Sequence, residues 1–324
     1  MFPQLRRAAA IFASLSACIG SAHAADAYPD HPITVVVPQS AGGAADSVAR
    51  VLTQRMAERL GQAIIVENRV GAGGVIGTRG VQRARNDGYT LLFSSTSHAI
   101  NAALRKDAGY DAVKDFAPIA LVAQGPFVLV ANPQFQAQTV PELIALAKAK
   151  PHYINYGSVG VGSFNHLLGE MLNADAGIAL EHIAYRGDAD ASTAVVGGQV
   201  PISFNSLAGA LPLIKAGKLR ALGVSTATPS PLLPGVPPIG QAVPGYEGTS
   251  WYGVFAPAGT PPAIVDKVSD AIRAALQDPA IAARLSSVGA EPTYEDAADF
   301  KQFLQRQTGL WTQVIQRAGV TVDK

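Results

Sequence analysis

From about residue 33 to residue 224, short apolar runs alternate with stretches whose apolar residues recur every three to four positions. The first pattern reads as buried strand, the second as amphipathic helix. This predicts strands at 33–37, 63–67 and 90–93, with helices at 44–60 and about 75–84. Asn86-Asp87-Gly88 reads as a turn and Ser94–His98 as a polar loop. Alternating strand and helix argue for a parallel sheet covered on both faces, with ligands beyond the carboxyl ends of the strands.

Ile119–Ala123 and Phe127–Val130, parted by Gln124-Gly125-Pro126, read as a first crossing into a second lobe. That lobe opens on a helix capped by Thr139, with Pro141 in its first turn and Glu142 completing a capping box. Strands follow near 154–156, 182–185, 202–204 and 219–224, with helices from about Phe164, at 189–196 and at 208–216. Ser230–Pro244 reads as a proline-rich surface excursion, and Trp251–Pro257 as the return crossing. Thr260 is expected to cap a helix begun by Pro261-Pro262, and Asp278-Pro279 to open another. Residues 297–318 form a long last helix expected to pack on the first lobe. The expected architecture is α/β: two doubly wound lobes, 25–124 plus 250–324 and 125–249, joined by a two-strand hinge that permits closure.

Two strand-turn-helix units carry the candidate chemistry. In one, Thr34–Pro38 leads through Gln39-Ser40-Ala41-Gly42-Gly43 into a helix. In the other, Ile154-Asn155-Tyr156 leads through a turn containing Gly157, Ser158, Gly160, Gly162 and Ser163. A glycine-and-serine turn feeding a helix start leaves bare N–H groups at the positive end of the helix dipole, a site for a carboxylate or phosphate. Two such units suggest two similar lobes facing one ligand. The competing reading is that the glycines only permit tight packing.

Composition narrows the classes. The chain has 324 residues, 25 basic against 24 acidic, so it lacks the basic footprint of a nucleic-acid binder. Arg6-Arg7, the apolar Ala8–Ile19 and Ala22-His23-Ala24 read as a Sec signal peptide over 1–24, and hence as export to the periplasm. A competing lipobox, Leu15-Ser16-Ala17-Cys18, would instead lipidate Cys18, the single cysteine. Cleavage after Ala24 leaves no thiol for disulfides or catalysis.

No histidine spacing suits a metal, and no cofactor motif is found: Gly71–Gly74 places Ile76 where a dinucleotide fingerprint needs its third glycine. Asp46 reads as a helix-dipole acid or a ligand contact, and Arg186 as a solvated loop residue or a bidentate carboxylate clamp. His166, three residues after Ser163, suggests either a residue fixing the turn or the base of an exported serine hydrolase.

In sequence the chain resembles the Bug (TctC-like) family of extracytoplasmic receptors. The likeness runs from about Tyr28 to Val320. It is carried in order by Pro38–Arg50, Glu67-Asn68-Arg69, Gly71–Gly77, Asp87–Leu91, Asp115–Pro118, Tyr156–Glu170, Tyr185–Gly187, Gly197–Val200, Lys215–Leu222 and Ala256–Pro262. The resemblance implies a type II periplasmic-binding-protein fold and no enzymatic activity. It implies a small organic carboxylate, such as an amino acid or dicarboxylate, as ligand of a monomer, with integral membrane permease subunits as partners. A ligand-presenting co-receptor for a signalling system is the alternative. By position it places ligand contacts at Ser40, Gly42, Gly43 and Asp46, with Ser95 and Thr96 nearby, and at Ser158, Gly160, Gly162, Ser163, Gly187 and Asn205; Ala41 and Arg186 complete the candidate set. Two departures bear on ligand identity: Arg186-Gly187-Asp188 replaces a usual Lys-Gly followed by small residues, and Asn205-Ser206 replaces a usual Asp-Asn, which removes a partner for a ligand ammonium that Asp188 could supply instead.

Overall fold

The computed structural model describes residues 28–105 and 107–321; the expected signal peptide and Cys18 lie outside them. Ten strands run in chain order as β1 (Ile33–Val37), β2 (Ile64–Asn68), β3 (Thr90–Ser95), β4 (Phe116–Ala131), β5 (Asn155–Ser158), β6 (Glu181–Ala184), β7 (Ile202–Ser206), β8 (Arg220–Val224), β9 (Thr249–Pro257) and β10 (Glu291–Glu295). The helices are α1 (Ala44–Leu60), α2 (Val75–Gln82), α3 (Ser97–Leu104), α4 (Val140–Ala149), α5 (Phe164–Ala176), α6 (Asp188–Val196), α7 (Leu207–Lys215), α8 (Pro262–Leu276), α9 (Pro279–Ser287) and α10 (Ala297–Ala318).

The strands order as β2-β1-β3-β9-β4-β7-β5-β6, with β8 and β10 also paired to β4. β1, β2 and β3 are parallel, as are β5, β6 and β7. The centre is not parallel as expected: β9 runs against both β3 and β4, and β4 against β7 and β8. The reason is topological. The chain leaves the first lobe on β4 and returns on β9 beside it, so the crossing strands must be antiparallel.

The two short apolar runs at the crossing prove to be one strand of 16 residues. Gly125 and Pro126 do not break it, because they stay paired with Ser250 and Thr249. From Phe127 onward β4 pairs instead with β7, and the Phe127 N–H is taken by Ser225 Oγ at 3.0 Å. A strand that changes partners at a Gly-Pro step suits a hinge, since proline forgoes one ladder donor there.

Other expectations shift in instructive ways. Thr139 Oγ1 accepts from Glu142 N–H, but the Glu142 carboxylate reaches back to Gln138 N–H, one residue earlier than a standard capping box. Thr260 does not cap α8; it is buried, and its hydroxyl donates to Pro257 O. The excursion 230–244 is only partly superficial: Leu233, Ile239 and Val243 are buried, as is the nearby Tyr246, whose hydroxyl donates to Leu168 O. α10 lies against α3 and β4 as expected, yet also reaches α5 in the second lobe. Trp311 meets Phe164 edge-on at 5.2 Å, and Arg317 pairs with Asp175 at 2.9 Å. One apolar cluster therefore runs unbroken from Val36 and Leu92 through Trp251 and Trp311 to Tyr156 and Phe204.

Candidate functional site

Strand registers bring the two turns to one place. Ser95 at the end of β3 is level with Tyr252, and Tyr252 with Ala123 of β4. Ser206 at the end of β7 is level with Phe127 of the same β4. The carboxyl ends of both parallel groups thus open toward the junction, separated along β4 by about 13 Å.

The two turns share one construction. Residues 40–43 and 160–163 each close a four-residue turn, by Gly43 N–H to Ser40 O at 3.2 Å and Ser163 N–H to Gly160 O at 3.1 Å. The third residue of each, Gly42 at φ 77° and Gly162 at φ 76°, needs the left-handed region that favours glycine. The fourth is the helix N-cap. The third residue of each helix then folds back onto that glycine: Asp46 Oδ2 accepts from Gly42 N–H at 2.9 Å, and His166 Nδ1 from Gly162 N–H at 3.1 Å.

This changes which groups face a ligand. The N–H groups of Gly42 and Gly162 are occupied in shaping the turns. The open donors are the first-turn N–H groups of α1 (Ala44, Ala45, Asp46) and α5 (Phe164, Asn165), since in α5 the third is capped by Ser163 Oγ. Among the candidates, Ser40, Ala41, Gly42 and Arg186 are exposed, and Gly43, Ser95, Gly160, Gly162, Ser163 and Gly187 partly so.

Four candidates turn inward. Asp46 is buried and accepts from Gly42, Arg50 Nε and Asn68 Nδ2. Burial raises its carboxyl, but these bonds, with Arg50 foremost, outweigh that and hold it below the usual carboxylate value. Thr96 Oγ1 accepts from Trp251 N–H at 3.0 Å, tying β3 to the return crossing. Ser158 is buried and bonded to His182 Nε2 and Gly160 N–H. Asn205 gives its amide to Asp188 O and Ser192 Oγ.

The hydrolase reading finds no geometry. Ser163 Oγ donates to Gly160 O and accepts from His166 N–H, while the His166 ring faces Gly162 and, at 3.7 Å, Glu170. Two residues passed over as contacts, Gln39 and Tyr252, emerge at the junction together with Asp188. Gln39 Nε2 reaches Ser97 Oγ at 3.0 Å, and its Oε1 is buried without a partner. A polar residue directly after a buried strand was the available signal. A surface concavity of about 1180 Å³ beside Lys114, Thr260, Lys301 and Thr312 lies elsewhere and includes none of these groups. Among the described residues no cluster of three or more His, Cys, Asp or Glu is placed to hold a metal, and no helix is long and apolar enough to cross a membrane.

Behind the second turn, the His166 and His182 rings lie 4.1 Å apart. Burial depresses both to about 4, His182 helped by His166, and burial does the same to His98. Between pH 6.5 and 4 the unfolded chain binds more protons than the folded one. The stability these neutral rings contribute is complete above pH 6.5 and lost as pH falls through 4. Melting followed from pH 7 to pH 4 should show this loss, and His166→Asn, whose amide oxygen takes the place of Nδ1 in accepting from Gly162, should lose less. An equal loss in both proteins would show that the His166 ring is not part of it.

Comparison with known proteins adds the following. Residues 48–320 match the family model described as tripartite tricarboxylate transporter family receptor. BugT of Bordetella pertussis is 34% identical over 307 residues, 94% of each chain. Among solved structures, the periplasmic binding protein BugD is 34% identical with a TM-score of 0.78, covering 91% of this chain and 99% of that one. Rpa4515 of R. palustris, solved with adipate, is 32% identical with a TM-score of 0.80 (91% and 99% covered). MatC of Rhodopseudomonas palustris, solved with bound malate, is 32% identical with a TM-score of 0.78 (89% and 100% covered).

Proposed function

This chain belongs to the tripartite tricarboxylate transporter receptor family, and from that membership we propose that it captures a small organic carboxylate between its lobes, outside the cytoplasm, for delivery to an integral membrane permease. The observation that carries this reading is the twin turn, because each copy leaves two or three first-turn N–H groups open toward the same junction. Relatives solved with adipate and with malate support a carboxylate as ligand.

In mechanism, one lobe receives the acid first. The acid's negative charge is met by N–H dipoles, which need no partner cation and cost little reorganisation. Contacts with the second turn form only when the lobes approach, so the ligand stabilises the closed form by its differential affinity for it. We take β4 at Gln124–Phe127 and the return near Gly248–Ser250 as the hinge between lobes 25–124 plus 250–324 and 125–249. The receptor acts as a monomer without cofactor and performs no chemistry.

A thermal-shift screen tests this on protein refolded to remove carried-over ligand, using di- and tricarboxylates, amino acids, aromatic acids and the matching amides. One acid is expected to raise the melting temperature by several degrees while its amide does not. Equal stabilisation by acid and amide would remove the anion site.

A further inference from the structure

Given a carboxylate held at the twin turns, as proposed above, we infer that Asp188 selects the ligand by receiving an amino or hydroxyl group carried on the same molecule.

Asp188 is the first residue of α6, set between the starts of α5 and α7. Its Oδ2 accepts from Ser206 N–H at 2.9 Å, but its Oδ1 has only the Asn165 amide at 3.4 Å, a stretched contact. Each carboxylate oxygen has room for two donors. The neighbours are already engaged: Asn205 is committed to Asp188 O and Ser192, Ser203 Oγ to Asn205 Oδ1, and the Ser206 hydroxyl to Asp188 itself. No ion pair reaches Asp188 among the described residues, and Arg186, two positions earlier, is exposed. A part-buried carboxylate held only by neutral donors, with no cation, is open to a further donor that completes it.

Its charge also acts across the junction. Burial pushes the Tyr252 hydroxyl of β9 up to about 12, with the Asp188 charge adding to the rise. Burial likewise raises Asp188 itself, against the opposing Ser206 bonds. The Asp188 carboxylate therefore stands with no cation paired to it among the described residues, and its field reaches a neutral hydroxyl on the opposite lobe. A ligand ammonium or hydroxyl donor fills that place, whereas a second ligand carboxylate directed there meets like charge. The ligand class is then an amino- or hydroxy-substituted carboxylic acid in preference to its unsubstituted parent.

The test is isothermal titration of ligand-free protein with matched acids: succinate, L-malate and L-aspartate; glutarate and L-glutamate; propionate, L-lactate and L-alanine. The wild type should bind at least one substituted acid about ten-fold or more tighter than its parent, as expected where a buried polar group is otherwise left unpaired. Asp188→Asn, equal in shape, should reduce that ratio to about three-fold or less by weakening the substituted acid. Parents that bind the wild type as tightly as their substituted partners would overturn the inference, with no variant required. So would a ratio unchanged in Asp188→Asn. Absence of binding by every acid would instead bring down the carboxylate-receptor reading, and this inference with it.

Discussion

Gly162→Val is expected to weaken ligand binding by about a hundred-fold or more while the protein remains folded. Gly162 sits at φ 76°, where a β-branched residue is a genuine outlier. Relieving the strain rotates the turn, frees the Gly162 N–H from His166 and re-aims the N–H groups of Phe164 and Asn165. Two hydrogen bonds to a charged ligand are worth about 1.5–3 kcal/mol each, which sets the size of the loss. The strain itself costs only about 1–2 kcal/mol at this partly exposed turn, so melting should fall by only a few degrees. Gly42→Val should behave alike. Gly43 is different: its backbone is extended at φ −74°, and an added Cβ would lie 3.2 Å from Ser40 O in open surroundings. Gly43→Val is therefore the milder variant. Titration and melting of all three decide the matter, and wild-type affinity in Gly162→Val would remove the turn from the site.

The second large effect is on stability. Glycine in a helix interior is ordinarily improved by alanine, by about 1 kcal/mol. Gly169→Ala should do the reverse and destabilise by about 2–3 kcal/mol. A Cβ there would lie 2.2 Å from Cε2 of Tyr156 and 2.4 Å from its Cζ. The ring cannot retreat, because Tyr156 is wholly buried and its hydroxyl donates to Glu170 at 2.7 Å and to His166 O at 3.2 Å. Tyr156 also precedes the second turn on β5, so affinity should fall together with stability. Adding Tyr156→Leu should restore part of the stability, a coupling readable in a double-mutant cycle. A Gly169→Ala protein melting at or above the wild type would refute the overpacking account.

How far the sequence foretold this molecule depends on the range of the forces involved. The turns at Gly42 and Gly162 were legible because left-handed backbone demands glycine locally. α5 was legible from its apolar spacing and the serine before it. What was not legible came from distant partners. Asp46 and His166 are unlike residues in unlike company, and their common task appears only once each is seen bonded to the glycine four positions earlier. Gly125-Pro126 reads as a break, and remains strand only because β9 pairs with it. α3 was hidden in a run of serines and threonine, and β10 in a polar stretch that finds its ladder on β4. Ile239, Val243 and Tyr246 sit among prolines that signal surface, yet the second-lobe core needs their bulk.

The place of β9 between β3 and β4 governs the order in which this chain is able to mature. A polypeptide made from its amino end presents β1, β2 and β3 long before residue 249 exists. Until then β3 has an open edge and β4 lacks its main partner, the situation in which nascent sheets are most prone to pair wrongly. The second lobe, by contrast, is a continuous stretch from β4 to β8 and has its parallel strands in hand early. Assembly should therefore run from the middle of the chain outward, with residues 249–257 serving as the late insertion that joins two waiting sheets.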